Sequence, residues 1–234
     1  MKTYIIKVGG SNLSLSEDIL FDFNQAERIK NILLPFIQNG DKFVLITGGG
    51  YTSRKYQNLF NEKGYPDYDV HYIGTAICNL NAIMLRAVFG DLAESEVIAF
   101  NDFENLESIN FNKPVLLAGA AKPGPSSDWD SAMLAKELNG NVVISLKNIN
   151  GVYSSDPKKD PNAKKIDTLT WDEYLNIIEN KSSHKPGDNL PVDPVASKFS
   201  KENNIQFYIL DGRNLDELVK VLNGEKFDGS IIKI

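Results

Sequence analysis

Residues 42–62 read KFVLITGGGYTSRKYQNLFNE, and this stretch decides the fold. Its first six residues are a mostly apolar run typical of a buried strand. Three glycines follow, and residues 51–62 then have helical spacing. A strand that passes through glycines into a helix presents free backbone N–H groups at the helix N-terminus, where anions bind. The stretch therefore predicts an α/β domain with an anion site at a strand end.

Strands and helices alternate on both sides of this stretch. The patterns predict strands at 4–8, 42–47, 96–100, 114–117, 142–146, 206–210 and 230–234, and helices at 24–37, 51–62, 74–89, 131–138, 171–178, 193–202 and 215–222. This order predicts an α/β fold with a mainly parallel central sheet covered by helices on both faces. A loop rich in Pro, Gly and Lys is expected at 181–191. Without a repeat or a linker in the sequence, we expect one domain over residues 1–234.

Composition restricts the class of protein. The chain has 234 residues, a net charge of -6 and 42% hydrophobic residues, which is ordinary for a globular domain and argues against a nucleic-acid partner. Its one cysteine, Cys78, excludes an internal disulfide and suits a reducing compartment. The N-terminus resembles no signal peptide, and no apolar run is expected to be long enough to span a membrane. We therefore expect a cytoplasmic protein with no membrane partner.

Residues 7–11, KVGGS, form a second glycine segment at a strand end. The ammonium of Lys7 could meet phosphate oxygens there, or it could be an edge-strand lysine before a turn. In the first segment Arg54 could form a fork with a phosphate, or it could be solvated. That segment is not a Walker A loop, because it lacks the closing Gly-Lys-Ser/Thr.

Two later segments carry further candidate residues. Residues 119–131, GAAKPGPSSDWDS, contain two carboxylates, Asp128 and Asp130, either of which could hold a lysine or Mg²⁺; their Ser and Asp residues would equally suit helix capping. Residues 147–157, KNINGVYSSDP, follow a predicted strand. They could hold an adenosine or form a surface hairpin.

Taken in order, these four segments resemble the amino-acid-kinase family over nearly the whole chain. Within it, residues 47–54, 74–82, 122–128 and 148–157 are similar to the motifs of the archaeal uridylate kinase branch. The resemblance implies the carbamate-kinase-like fold, with residues 1–140 roughly as the acceptor-side lobe and 141–234 as the ATP-side lobe. It also implies ATP-dependent phosphoryl transfer to a small-molecule phosphate acceptor, with UMP favoured, by a homo-oligomer that is a hexamer or a dimer. Mg²⁺ would arrive with ATP, and no dedicated metal site is expected.

The resemblance also implies residue roles. Lys7, Arg54 and Asp128 would be catalytic, with Lys7 bridging the transferring phosphoryl group and Asp130 competing with Asp128 for the role of orienting it. The ATP-binding residues would be Gly9, Gly10, Ser11, Gly50, Lys147, Asn148, Tyr153 and Asp156. The acceptor-binding residues would be Gly49, His71, Lys122, Pro123, Gly124, Pro125, Ser126 and Ser127.

Four positions depart from the branch that this chain resembles. His71 stands where an aspartate binds the ribose, and Asn79 replaces an arginine. Lys147 replaces a threonine and Asn150 an aspartate. Two alternatives therefore stay open: a kinase of the same fold that acts on another phosphorylated or carboxylate metabolite, and a nucleotide-binding storage or regulatory protein without turnover.

Overall fold

A computed structural model of the chain describes residues 2–106, 109, 111–124, 126–157, 159–179 and 190–234. Pro125 and residues 181–189 of the predicted loop lie outside this set. The strands are β1 (Thr3–Val8), β2 (Lys42–Thr47), β3 (Val115–Ala118), β4 (Val142–Lys147), β5 (Val152–Tyr153), β6 (Lys165–Ile166), β7 (Thr168–Thr170), β8 (Gln206–Asp211) and β9 (Ser230–Lys233). The helices are α1 (Phe23–Gln38), α2 (Gly50–Asn61), α3 (Asp67–Phe89), α4 (Ser127–Glu137), α5 (Trp171–Glu179), α6 (Pro194–Glu202) and α7 (Asp216–Asn223).

Seven strands form one sheet in the order β3-β2-β1-β4-β8-β9-β7. Neighbouring strands are parallel except for β8 and β9, which are antiparallel. β5 and β6 form a separate antiparallel pair. The carboxyl ends of β1, β2 and β4 therefore meet at one edge, which is where open α/β sheets bind ligands.

Helices cover both faces of the sheet. Ile5 of β1 belongs to the layer that packs under α4, α5 and α6, whereas Ile6 and Val8 belong to the layer under α1, α3 and α7. Successive side chains of a strand alternate between faces, so a strand buried on both sides is a continuous apolar run. Lys7 shares the face of Ile5 and so points toward α4.

Two helices, α3 and α4, begin several residues earlier than predicted. α3 begins at Asp67, directly after Pro66, whose fixed φ favours the start of a helix, and His71 therefore lies inside it. α4 begins at Ser127, because the Ser126 side chain accepts hydrogen bonds from the backbone N–H groups of Asp128 and Trp129. Both candidate carboxylates are thus in the first turn of α4.

The predicted strand at 96–100 was wrong. Ile98 makes one isolated parallel bridge to Ala118, and the chain then turns at Phe100, which has a positive φ of 48° and begins a 3-10 turn. A bulky residue at positive φ cannot continue an extended strand. The β-type composition here is explained by burial of Ile98 rather than by a ladder of strand pairs.

The expectation about membrane-length apolar runs also needs correction. Residues 67–92, which contain α3, are long and apolar enough to cross a membrane by length and composition alone. One face of α3 packs against α2 and β3 and carries the buried polar residues Thr75, Asn79 and Asn81. The core helix of a globular protein can have the same length and composition.

Candidate active site

The two glycine loops lie back to back beyond the ends of β1 and β2. A Cβ atom on Gly10 would lie 2.6 Å from the carbonyl carbon of Gly48 and 2.7 Å from the nitrogen of Gly49. Gly50 has a φ of +65°, and its own Cβ would lie 2.7 Å from that of Ser14. No side chain fits such an approach, so these positions require glycine. The loops together bring main-chain groups from two strands to one place.

Lys7, Asp128 and Lys147 form a buried ionic cluster beside these loops. The Lys7 Nζ lies 2.5 Å from Asp128 Oδ1, and the Lys147 Nζ lies 2.9 Å from each carboxylate oxygen. Their side chains are 6%, 7% and 13% exposed in the order Lys7, Asp128, Lys147. Lys7 is on β1, Lys147 ends β4 and Asp128 is in the first turn of α4, so three separate segments meet here.

Electrostatics distinguish the two carboxylates of α4. Burial alone would raise the pKa of Asp128, but the ammonium groups of Lys147 and Lys7 outweigh it and hold that pKa below its usual value. Burial raises the pKa of Asp130 to about 8, since its partner is the backbone N–H of Ala121 at 3.4 Å. Burial also lowers the pKa of Lys147, with the charge of Lys7 acting in the same direction. Asp128 is therefore the carboxylate that binds Lys7, and the sequence could not distinguish it from Asp130.

α3 holds two of the loops through side-chain amides that were not predicted as site residues. The Asn81 amide donates to the carbonyl of Gly48 at 2.7 Å, and Asn79 Oδ1 accepts from the N–H of Ala120 at 2.7 Å. A Cβ on Gly119 would lie 2.7 Å from the Cα of Asn79. The 74–82 motif contained both asparagines, but motif spacing alone does not show which loops they reach.

On the expected acceptor side, Arg54, His71 and Lys122 are exposed. Among the described residues, none of these three side chains hydrogen-bonds to the buried cluster. Arg54 lines a shallow surface depression on α2 with Tyr51 and Lys55. In the part of the chain that the structure describes, these three predicted residues therefore make no direct side-chain contact with Lys7 or Asp128, and their role in binding an acceptor stays a prediction.

The loop before α4 has largely structural contacts. Ser126 caps α4 and also donates a hydrogen bond to the Asp193 carboxylate, which itself caps α6. The carbonyl of Ser127 accepts from the Ser131 hydroxyl at 2.5 Å. Pro123 is half-buried, and Gly124 is exposed with a φ of +110° that favours glycine. Helix capping, the structural alternative, accounts for Ser126.

The predicted adenosine segment includes the β5 strand of the small hairpin. The Tyr153 hydroxyl donates to Asn150 Oδ1 at 2.6 Å, and the Asn150 amide donates to Asp228 at 3.0 Å. Asn148 is exposed, and its carbonyl accepts from Arg213 at 3.4 Å. The carbonyl of Asp156 accepts two backbone N–H groups in a turn. The local structure is therefore a surface hairpin. It follows directly in the chain after Lys147, which belongs to the buried cluster.

Comparison with known proteins gives a consistent result. The family model described as "Amino acid kinase family" matches residues 2–211. Two relatives called uridylate kinase are each 32% identical to this chain: that of Methanococcoides burtonii over 93% of this chain and 90% of its own, and that of Thermococcus kodakarensis over 98% of each. The uridylate kinase structure from Archaeoglobus fulgidus has a TM-score of 0.78 at 28% identity and covers 99% of this chain and 100% of that one. A UMP kinase structure from Ureaplasma parvum, 20% identical with a TM-score of 0.81 over 100% of this chain and 99% of that one, supports the fold alone.

Proposed function

The chain belongs to the amino acid kinase family, and we propose that it is a phosphotransferase that uses ATP to convert UMP to UDP. The relatives at 32% identity carry the name uridylate kinase and are matched over nine-tenths or more of their length. The observation that carries the proposal is the buried cluster of Lys7, Asp128 and Lys147 at the sheet edge. Two ammonium groups with one carboxylate leave a net positive charge where phosphates would lie.

Phosphoryl transfer needs positioning and charge stabilisation more than covalent chemistry. In this proposal Lys7 bridges the transferring phosphoryl group, and Asp128 rather than Asp130 orients Lys7, because only Asp128 contacts its ammonium. The ATP phosphates lie against the two glycine loops at Gly9, Gly10, Ser11 and Gly50. The close backbone approach at Gly10 and Gly50 supports this placement, since it brings the main chains of both loops together at the ends of β1 and β2.

The remaining predicted residues stay proposals. Asn148, Tyr153 and Asp156 would hold the adenosine, and Gly49, Arg54, His71 and the loop at 122–127 would hold the acceptor. Mg²⁺ would come bound to the ATP phosphates. Among the described residues no group of three or more His, Cys, Asp and Glu side chains is placed to hold a metal, and both oxygens of Asp128 already face lysines.

A homo-oligomer is also part of the proposal. Large apolar side chains recur along the outer face of α3, with Tyr68, Tyr72, Leu80 and Ile83 each at least 45% exposed. The stripe lies within residues 67–92, the segment that is long and apolar enough to cross a membrane by length and composition. A second copy of this chain would cover the stripe, since a solvated apolar face of this length marks an interaction site. A cytoplasmic location would suit the single cysteine.

The assay that tests the function couples ADP release to a panel of nucleoside monophosphates and small phosphorylated or carboxylate acids. We expect UMP to give the largest kcat/KM. Turnover with a non-nucleotide acceptor alone would refute the UMP assignment and keep the kinase. Tight ATP binding with no acceptor-stimulated ADP release would refute the kinase and favour a nucleotide-binding protein. Lys7→Ala, with unchanged circular dichroism, should lose at least about 100-fold in kcat.

A further inference from the structure

The position of Lys147 is the feature of this site that the expected ATP-binding role does not explain. The sequence placed it with the adenosine segment, but its ammonium lies 2.9 Å from both oxygens of Asp128, the carboxylate that also holds Lys7. The side chain points to the α4 face of the sheet, on the same side of β4 as Ser145. Lys147 thus enters the same charge cluster as Lys7 from the neighbouring parallel strand.

The cluster is electrostatically incomplete. Asp128 supplies one negative charge for two ammonium groups, and burial makes an uncompensated charge costly. Each ammonium has three N–H donors. Among the described residues, Lys7 makes one hydrogen bond to Asp128, and Lys147 makes one to each oxygen of that carboxylate. Within the described ranges, both ammonium groups thus keep donors without a protein acceptor, and an excess positive charge lies beside the glycine loops.

We propose that Lys147 is a second catalytic lysine, which together with Lys7 contacts the transferring phosphoryl group; this rests on the proposed kinase function. An oxygen of the ionised acceptor phosphate attacks the γ-phosphorus of ATP and forms the new P–O bond. The bond from that phosphorus to the β–γ bridging oxygen breaks, and the electron pair leaves with ADP. No proton is transferred, because the acceptor oxygen is already ionised. Asp128 keeps the two ammonium groups side by side despite their mutual repulsion.

This role differs from ATP binding in what it predicts. An ammonium that contacts the phosphoryl group only as charge redistributes stabilises the transition state, so its loss lowers kcat with little change in KM. If Lys147 only bound ATP, its loss would raise KM for ATP and leave kcat unchanged. If Lys147 only stabilised the fold, its loss would lower the melting temperature together with the activity.

The decisive variant is Lys147→Met, which keeps most of the side-chain volume and leaves the pair of Lys7 and Asp128 neutral. We expect kcat to fall about 100-fold or more with KM for ATP changed less than about threefold. We also expect a higher melting temperature than the wild type in the absence of nucleotide, because an unpaired buried charge is removed. Lys198→Met, which removes an exposed ammonium from α6, is the matched control and should change neither quantity.

The pH dependence adds a readout that a structural role would not move. The charged groups around Lys147 are Lys7 on β1, Asp128 on α4, and Asp211 on β8, which is paired with Arg213. Because the pKa of Lys147 is lowered, kcat/KM for ATP should fall as the pH rises above neutrality. Lys147→Arg keeps the charge without titrating, so it should shift this fall to higher pH. The stabilisation by Lys147→Met should shrink as the pH rises toward the ordinary lysine pKa of about 10.4.

Each outcome is assigned in advance, using whichever acceptor sustains turnover in the wild type. A Lys147→Met protein that keeps kcat, or that loses only KM, overturns the catalytic role while the kinase function stands. A parallel loss of melting temperature and kcat, with Lys147→Arg failing to restore either, makes Lys147 structural and also overturns it. If the wild type transfers phosphate to no acceptor, the kinase function and this inference fail together.

Discussion

Asp128 accepts hydrogen bonds from two buried ammonium groups, so its charge should matter more to stability than the charge of either lysine. Asp128→Asn keeps the shape but leaves Lys7 and Lys147 as like charges without a counterion. Breaking a buried pair in this way costs about 3–5 kcal/mol. We therefore expect a large drop in the free energy of unfolding, measured by urea titration, together with loss of transfer.

The matched control is the exposed pair of Asp172 and Lys201, whose side chains are 69% and 46% exposed. Asp172→Asn removes the charge of a carboxylate that is equally close to its lysine but exposed to solvent. It should change the free energy of unfolding by less than about 1 kcal/mol. Equal effects of the two substitutions would mean that burial of the cluster contributes nothing. The contrast with Lys147→Met is equally direct, since removing one of the two positive charges should stabilise the cluster.

At the scale of elements, the packing of one glycine loop on the other makes Gly10 intolerant of a side chain. In Gly10→Ala the new methyl group would lie 2.6 Å from the carbonyl carbon of Gly48, and backbone cannot rotate away as a side chain can. We expect ATP binding, measured by calorimetry, to weaken by at least about tenfold. Gly64→Ala is the control, because its methyl group meets nothing within 4 Å and only the φ of +74° is strained. Unaltered ATP affinity in Gly10→Ala would remove the glycine loops from the phosphate site.

The sequence predicted these elements wherever a strand ran into glycine. Apolar runs located β1, β2 and β4, and their glycine or polar ends led to the prediction of a binding site at that edge. Helix starts were harder, because the caps of α3 and α4 depend on Pro66 and Ser126 rather than on apolar spacing. The assignment of Asp128 over Asp130 and the place of Lys147 could not be predicted, since both depend on which side chains meet across the fold.

For the whole molecule, the apolar stripe of α3 predicts assembly. In wild-type protein we expect size-exclusion chromatography with light scattering to give a multiple of two copies. Leu80→Glu combined with Ile83→Glu places charge on the stripe and should give monomers, because an unpaired carboxylate is costly in an apolar interface. Val195→Glu, at an apolar residue 61% exposed on α6, should leave the assembly unchanged. A monomeric wild-type protein would contradict the proposed contact.

The pairing of β1 with β4 has a consequence for how the chain acquires activity in time. Lys7 and Asp128 are 121 positions apart in sequence, and β1 has parallel neighbours from two distant parts of the chain. Closing such large loops must precede the contacts that reward it, so parallel sheets of this kind fold slowly. A nascent chain that has not yet released residue 147 from the ribosome lacks one of the three charged groups. The cluster of Lys7, Asp128 and Lys147 is therefore completed late in synthesis, well after the first glycine loop has been made.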